Sequence, residues 1–258
     1  MTMLLLAGQE ARTPVQIKAA KERSAFLATN LVDQGFKISA FHQSRADYLR
    51  RRPAMQTLSR VPSKGKTLFL TFDDGPLPGP TDEVLHTLSN EGVKATFFLV
   101  GSRVDDAPFL AQEIRDKGHE LANHTYYHPN LTWLTPAQVR AELLSTNWTI
   151  ERHTGERPLF ARPPGCCVSK AVNSELTAAG LISTLYTINP SDLGPSSPDH
   201  VKNFIISQVK PGAIILLHEF SPATRAMLPG LLKQLKANGW EFGRLKDSGA
   251  AGTAPSLR

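Results

Sequence analysis

The chain has no run approaching the roughly 18 consecutive apolar residues of a membrane-crossing helix. Its start, Met1 to Gly8, has a short apolar stretch but no basic residues ahead of it, and Gln9-Glu10 follow at once. That is a poor secretory signal, although a trimmed or replaced leader stays open. It has only two cysteines, Cys166 and Cys167, and they are adjacent. Neighbouring cysteines cannot bridge without severe backbone strain, which excludes a disulfide framework. No nucleic-acid motif and no internal repeat is present. What is there is the composition of a globular protein: 258 residues, 41% hydrophobic and 20% charged, with a net charge of +6. Part of the basic excess is local, at Arg45, Arg50, Arg51, Arg52 and Arg60. Such a run suits polyanionic surroundings, or is simply a solvated face.

Residues 1–60 differ from the rest. Thr13-Pro14 is a helix start, and Ile17, Ala20, Leu27 and Leu31 follow at roughly helical spacing until Gly35. A second, basic helical piece spans Gln43 to Arg52, before Pro53. Together they read as an N-terminal helical extension. From residue 61 to 247 strand and helix patterns alternate. Apolar strands are expected at Thr67–Phe72, Ala95–Val100, His119–Ala122, Leu159–Ala161, Leu181–Ile188, Ala213–Leu217 and Trp240–Leu245. Helices are expected at Thr81–Asn90, Ala107–Asp116, Thr135–His153, Lys170–Ala179, Asp199–Val209 and Ala223–Ala237. About seven parallel strands separated by helices argue an α/β fold, more a distorted (β/α) barrel than an open sheet. Residues 248–258 form a Gly/Ala/Ser-rich tail, expected to be flexible.

In parallel α/β folds, chemistry gathers where strands end. The strand Thr67–Phe72 runs straight into Asp73-Asp74 and a Gly-Pro turn. Adjacent buried carboxylates repel and are costly to desolvate, so they need solvent or a compensating positive charge. A solvated turn accounts for Asp-Asp-Gly-Pro by itself; a metal ion accounts for it as well. Asn123-His124-Thr125-Tyr126-Tyr127-His128 follows the third strand, and two His four apart can converge on one ion. With a carboxylate they complete a two-His, one-carboxylate set with an open position. Arg162-Pro163-Pro164-Gly165 follows the fourth strand, and a fixed arginine there can orient a carboxylate. His218 closes Leu216-Leu217-His218; alone it reads equally as a hydrogen-bonded structural residue.

Taken together, Thr71 to Pro76, His124 to His128, Arg162-Pro163-Pro164 and Leu216 to His218 resemble the motifs of the polysaccharide deacetylases, the NodB-like chitooligosaccharide deacetylase domain of carbohydrate esterases. They occur in that family's order over residues 62 to 246. The resemblance implies a divalent metal, most often Zn2+, held by Asp74, His124 and His128. It implies Asp73 as general base, Arg162 as its tuning partner and His218 as general acid, with Asp192 behind His218. It implies release of acetate from N-acetylated amino sugars such as chitin oligomers or peptidoglycan, hence a secreted or envelope location. The N–H after Pro164, at Gly165, would help bind the oxyanion. Substrate contacts are expected at Pro164, Gly165, Trp133 and Leu216.

Departures exist. Gly165 stands where the family has Tyr, and Cys166 follows. The run Asn189-Pro190-Ser191-Asp192-Leu193 keeps only the second Asp of the family's fourth motif and replaces its Trp with Leu. Glu219 replaces an Asp. An amidase or imidase acting on a small-molecule C–N bond, and an inactive metal-containing glycan-binding module, are the alternatives. Trp148 and Trp240 are expected in the core. His42, His86, His153 and His200 are expected to be solvated or local, and His119 to be structural.

Overall fold

The structure, a computed structural model, describes residues 13–33, 40–52, 56–63 and 65–250. The leader reading at 1–8, the stop at Gly35 and residues 251–258 of the tail lie outside the described residues.

Nine α-helices and eight strands are described: α1 (Pro14–Asp33), α2 (Ala40–Arg50), β1 (Thr57–Leu58), β2 (Thr67–Gly75), α3 (Pro80–Asn90), β3 (Thr96–Leu99), α4 (Gly101–Asp106), α5 (Pro108–Asp116), β4 (Glu120–Asn123), α6 (Pro136–Thr154), β5 (Phe160–Ala161), α7 (Lys170–Ala178), β6 (Ile182–Thr184), α8 (Pro198–Gln208), β7 (Ile214–His218), α9 (Pro222–Ala237) and β8 (Glu241–Phe242). Their strand order is β1-β6-β5-β4-β3-β2-β7, with β8 also on β2, and every ladder is parallel. A single bridge from Ile188 to Ile215 links the chain after β6 to β7, curling the sheet toward a barrel. The architecture is thus the expected α/β barrel-like fold. Parallel strands covered by helices on their outer face must be apolar on both sides. Accordingly β2 is buried from Leu68 to Asp73, and Phe72 stacks on Phe97 at 5.2 Å.

Sequence explains the longest helices. Thr135 caps α6 by accepting from the Gln138 amide, Gln138 reaches back to the Thr135 amide at 2.9 Å, and Gly155 ends the helix at φ 73°. Thr13 and Gln16 make the same reciprocal pair at the start of α1. α1 lies along α6, burying Ser24 and Leu27.

Several expectations change. The two-residue strand β1 is too short to leave a pattern, and it pairs with β6. α4 was not expected either. Arg45 is not on a solvated face: it is fully buried and its Nε donates to Gly180 O at 3.2 Å, because α2 packs against the end of α7. His42, beside it on α2, is buried rather than solvated. Trp148 is 42% exposed rather than core, with Arg152 stacked 4.3 Å above its ring.

Candidate active site

The C-terminal ends of β2, β4, β5 and β7 bring the polar motifs to one mouth. β2 ends in Asp73 and Asp74, and Asp73 is the register partner of His218 on β7. β4 delivers His124, whose backbone N–H donates to Leu99 O at 2.9 Å, and β5 delivers Arg162, whose backbone N–H donates to Asn123 O at 2.9 Å.

Arg162 is fully buried yet satisfied. Its Nη1 donates to Asp73 Oδ1 at 2.7 Å and to Thr71 Oγ1 at 2.8 Å, its Nε to Thr184 O at 3.2 Å and its Nη2 to Leu185 O at 2.9 Å. Its guanidinium also lies 4.2 Å over the Phe98 ring. A buried ion pair of this kind stands only because its remaining donors are used. Asp73 itself is 3% exposed.

Asp74, His124 and His128 converge so that one ligating atom from each lies within 4.8 Å of the others. Asp74 Oδ1 is 2.9 Å from His128 Nε2 and 3.3 Å from His124 Nε2. His124 Nδ1 sits 2.6 Å from Arg162 O. A carbonyl only accepts, so Nδ1 carries the proton and Nε2 turns a lone pair toward the carboxylate. Two lone pairs facing at that distance require a cation or a proton between them. Buried Asp74 Oδ1 has no well-directed hydrogen bond among the described residues. The donor set therefore fits a divalent cation. Burial by itself would raise the Asp74 pKa, but positive charge shared with the two imidazoles more than offsets it and holds the carboxyl well below its usual range, and a cation between these groups would act in the same direction.

Backbone strain collects here. Of the described residues other than glycine, five have positive φ: Asp74 (73°), Thr125 (68°), His128 (58°), Cys166 (53°) and Ser191 (55°). Four of them belong to the motif loops already named, and Ser191 precedes Asp192. A β-branched Thr at positive φ is a genuine outlier that surrounding structure must hold. The loop is held: Thr125 N donates to Asn123 Oδ1 at 2.8 Å, and the amides of Tyr126 and Tyr127 both donate to Glu142 Oε2 at 2.8 Å. Arg103 Nη1 donates to the Asp74 carbonyl. Fully buried Glu219 accepts from Thr81 Oγ1 at 2.7 Å, and burial pushes its pKa up to about 8. A Cβ at Gly75 would lie 1.4 Å from Glu219 Oε1, so any other residue there would have to displace the Glu219 carboxyl.

On the other side, Asp192 is 3% exposed. Its Oδ1 lies 2.9 Å from His218 Nδ1, and its Oδ2 accepts from His218 N at 2.8 Å and Thr224 Oγ1 at 2.6 Å. Burial lowers the His218 pKa, but the Asp192 hydrogen bond and charge raise it more, leaving it above the ordinary value.

The expected substrate-contacting residues differ in exposure. Pro164 is buried and Gly165 exposed, on the turn after Arg162, where φ 62° suits glycine. Trp133 is half-buried on the turn after Asn130. Leu216 is 6% exposed inside β7 and offers almost no surface. Phe220 was missed: it is 36% exposed, and its ring lies 5.8 Å from the His218 ring. An aromatic just past a strand-terminal His was the available signal. Glu142 was missed too, although position 142 falls on the inward stripe of α6 with Val139, Thr146 and Ile150. His119 is buried at the opposite strand ends, accepts from Ala95 N at 3.2 Å, and has its pKa lowered to about 4 mainly by burial.

The model of the family described as polysaccharide deacetylase matches residues 60–183. A chitooligosaccharide deacetylase from Bradyrhizobium sp. (strain ANU 289) is 35% identical over 158 residues, covering 61% of this chain and 72% of that protein. The chain belongs to the polysaccharide deacetylase family. A second deacetylase, peptidoglycan-N-acetylglucosamine deacetylase PgdA of Listeria monocytogenes, is 34% identical over 195 residues, 75% of this chain. The chain spans only 41% of the length of that relative. Among solved structures, the Bc1960 peptidoglycan N-acetylglucosamine deacetylase superposes with a TM-score of 0.73 at 28% identity, covering 75% of this chain and 92% of that one. No helix among the described residues of this family member is long and apolar enough to cross a membrane.

Proposed function

We propose that this chain is a metal-dependent hydrolase that removes N-acetyl groups from N-acetylglucosamine-type polysaccharide or oligosaccharide, chitin oligomers or peptidoglycan. The observation that carries the reading is the splitting of two neighbouring carboxylates: Asp73 is paired with Arg162, while Asp74 meets two imidazoles. Asp74, His124 and His128 would hold the ion, with zinc the metal best suited to two imidazoles and one carboxylate. Once bound there, such an ion polarises a carbonyl and lowers the pKa of water.

The protein's own groups handle the protons. Asp73, paired with Arg162, accepts one proton from the attacking water as the water oxygen bonds to the acetyl carbon. His218, held protonated by Asp192, gives a proton to the sugar nitrogen as the C–N bond breaks. The products are acetate and a free amino sugar. Asp73 and His218, register partners on adjacent strands, stand side by side at the mouth for these two transfers. Phe220 beside His218, with Trp133, offers apolar surface on which a sugar ring can rest. An acceptor and a separate donor, each with its own buried partner, favour an enzyme over an inactive glycan binder. Such a substrate would place the protein at the cell envelope or outside the cell.

The test is acetate release from N-acetylglucosamine oligomers and from peptidoglycan, before and after chelation and zinc repletion. Zinc-restored release supports the reading; turnover of small amides alone replaces it with the amidase alternative. Metal analysis that finds no divalent ion retained would sink both.

A further inference from the structure

Glu142 is fully buried in the middle of α6 and does no chemistry in the reaction above. A carboxylate at zero exposure is costly unless its oxygens are satisfied. Here three donors satisfy it, and they come from two distant parts of the chain. Oε2 receives the amides of Tyr126 and Tyr127 at 2.8 Å each. Oε1 receives Ser24 Oγ at 2.6 Å, from helix α1, 118 residues away. Burial pushes the Glu142 pKa up, and these three bonds pull it back.

Tyr126 and Tyr127 are two of the three residues between His124 and His128. The third, Thr125, has its amide tied to Asn123 Oδ1, and Asn123 Nδ2 donates to Leu143 O at 2.8 Å and Asn147 Oδ1 at 2.7 Å, both on α6. The Tyr126 hydroxyl donates to Asp105 Oδ2 at 2.8 Å. The segment that aims both imidazoles at Asp74 is therefore fixed amide by amide from α6, with Thr125 and His128 kept at positive φ. α1 completes the fixation, and Gln138 Nε2 on α6 adds a bond to Lys21 O at 2.9 Å.

We propose that Glu142 and Ser24 are positioning residues for the His124–His128 loop. Through them, helix α1, outside the segment matched by the family model, belongs to the support of the metal site. The inference rests on reading Asp74, His124 and His128 as a metal site. If Ser24 goes, Oε1 loses its donor and the carboxylate shifts toward other partners, loosening its hold on the two amides. The alternative is that the pair only glues α1 to α6. Glue alone would change stability without changing how the two imidazoles meet an ion.

Cobalt(II), whose visible absorption reports ligand geometry, separates these. Ser24→Ala, Glu142→Ala and Glu142→Gln are made in the full chain. Affinity for Co(II), the absorption band and thermal unfolding are measured for each. Loss of a group supporting metal ligands costs about 10–100-fold in affinity. Ser24→Ala should sit near tenfold, with a shifted band. Glu142→Gln should restore near-native values, because its amide oxygen accepts both N–H groups and its NH2 donates to Ser24. Should Glu142→Ala not fold, Ser24→Ala decides. A folded Ser24→Ala protein with native Co(II) affinity and spectrum overturns the proposal. If the unaltered protein takes up no Co(II), the metal reading fails, and deuterium exchange over residues 124–128 then decides the positioning claim. Faster exchange in Ser24→Ala upholds it, and equal exchange overturns it.

Discussion

Arg162 holds Asp73 with its side chain at 2.7 Å and orients His124 with its main-chain carbonyl at 2.6 Å. One residue thus serves the carboxylate proposed as base and an imidazole proposed as ligand, by chemically independent groups. Substitution can separate them. Arg162→Met removes the charge and keeps the carbonyl. It leaves Asp73 buried and unpaired, a loss of about 3–5 kcal/mol in stability. Urea unfolding should show it, and adding Asp73→Leu should recover much of the loss. If the double variant is no more stable than the single one, the pair is not what holds this region.

Asp73→Asn and Asp74→Asn should fail differently although they are neighbours. The first should lower acetate release by about 10²–10⁴-fold, the usual contribution of a general base, with zinc content unchanged. The second should lose zinc. Zinc analysis beside a deacetylation assay checks both, and equal zinc loss in the two variants would contradict the assignment.

The Asp192–His218 pair sets a pH limit. His218 sits above its ordinary pKa because Asp192 outweighs burial. As a proton donor it works below that pKa, so activity should fall on the alkaline side. In Asp192→Asn the charge that raises His218 is gone, and burial, which lowers it, remains. The alkaline limb of kcat/KM should therefore move to lower pH. An unmoved limb would assign it to another group.

Glu120 gives a prediction remote from the site. It is fully buried, accepts from Thr96 Oγ1 at 2.8 Å and Lys246 N at 3.1 Å, and burial lifts its pKa to about 7. The folded state therefore binds its proton more tightly than the unfolded state does. Stability contributed this way is present at low pH. It is lost as pH rises from the unfolded value near 4.5 toward 7, at most about 1.4 kcal/mol per pH unit. Glu120→Gln should flatten that window in urea unfolding. A slope equal to the native one would show that Glu120 is ionised when folded.

The residues with chemistry were legible because their types are expensive where they stand. Carboxylates and imidazoles at the ends of apolar strands demand a reason, and their order along the chain matched a known family. The strands and helices were legible from their periods. Ser24 and Glu142 were not, because a serine or glutamate on a helix usually faces water and only the docking of α1 on α6 turns these inward. Arg45 and Trp148 failed in opposite directions for the same reason. A long arginine can be buried when its donors find carbonyls, and a tryptophan can stay outside when an arginine covers its face. Strand β1 has two residues, too few for any alternation to show.

That small strand has a consequence for how the chain can be divided. The family model begins at residue 60, yet Gln56 O and Leu58 O receive the amides of Ser183 and Leu185 at 2.9 and 2.8 Å. A chain cut at the start of the matched segment would leave the Ser183 and Leu185 amides, in and just after β6, without these acceptors on an open edge of the kind where another strand can dock. Residues 56–58 thus cover the β6 edge of the sheet from outside the segment that the family model matches.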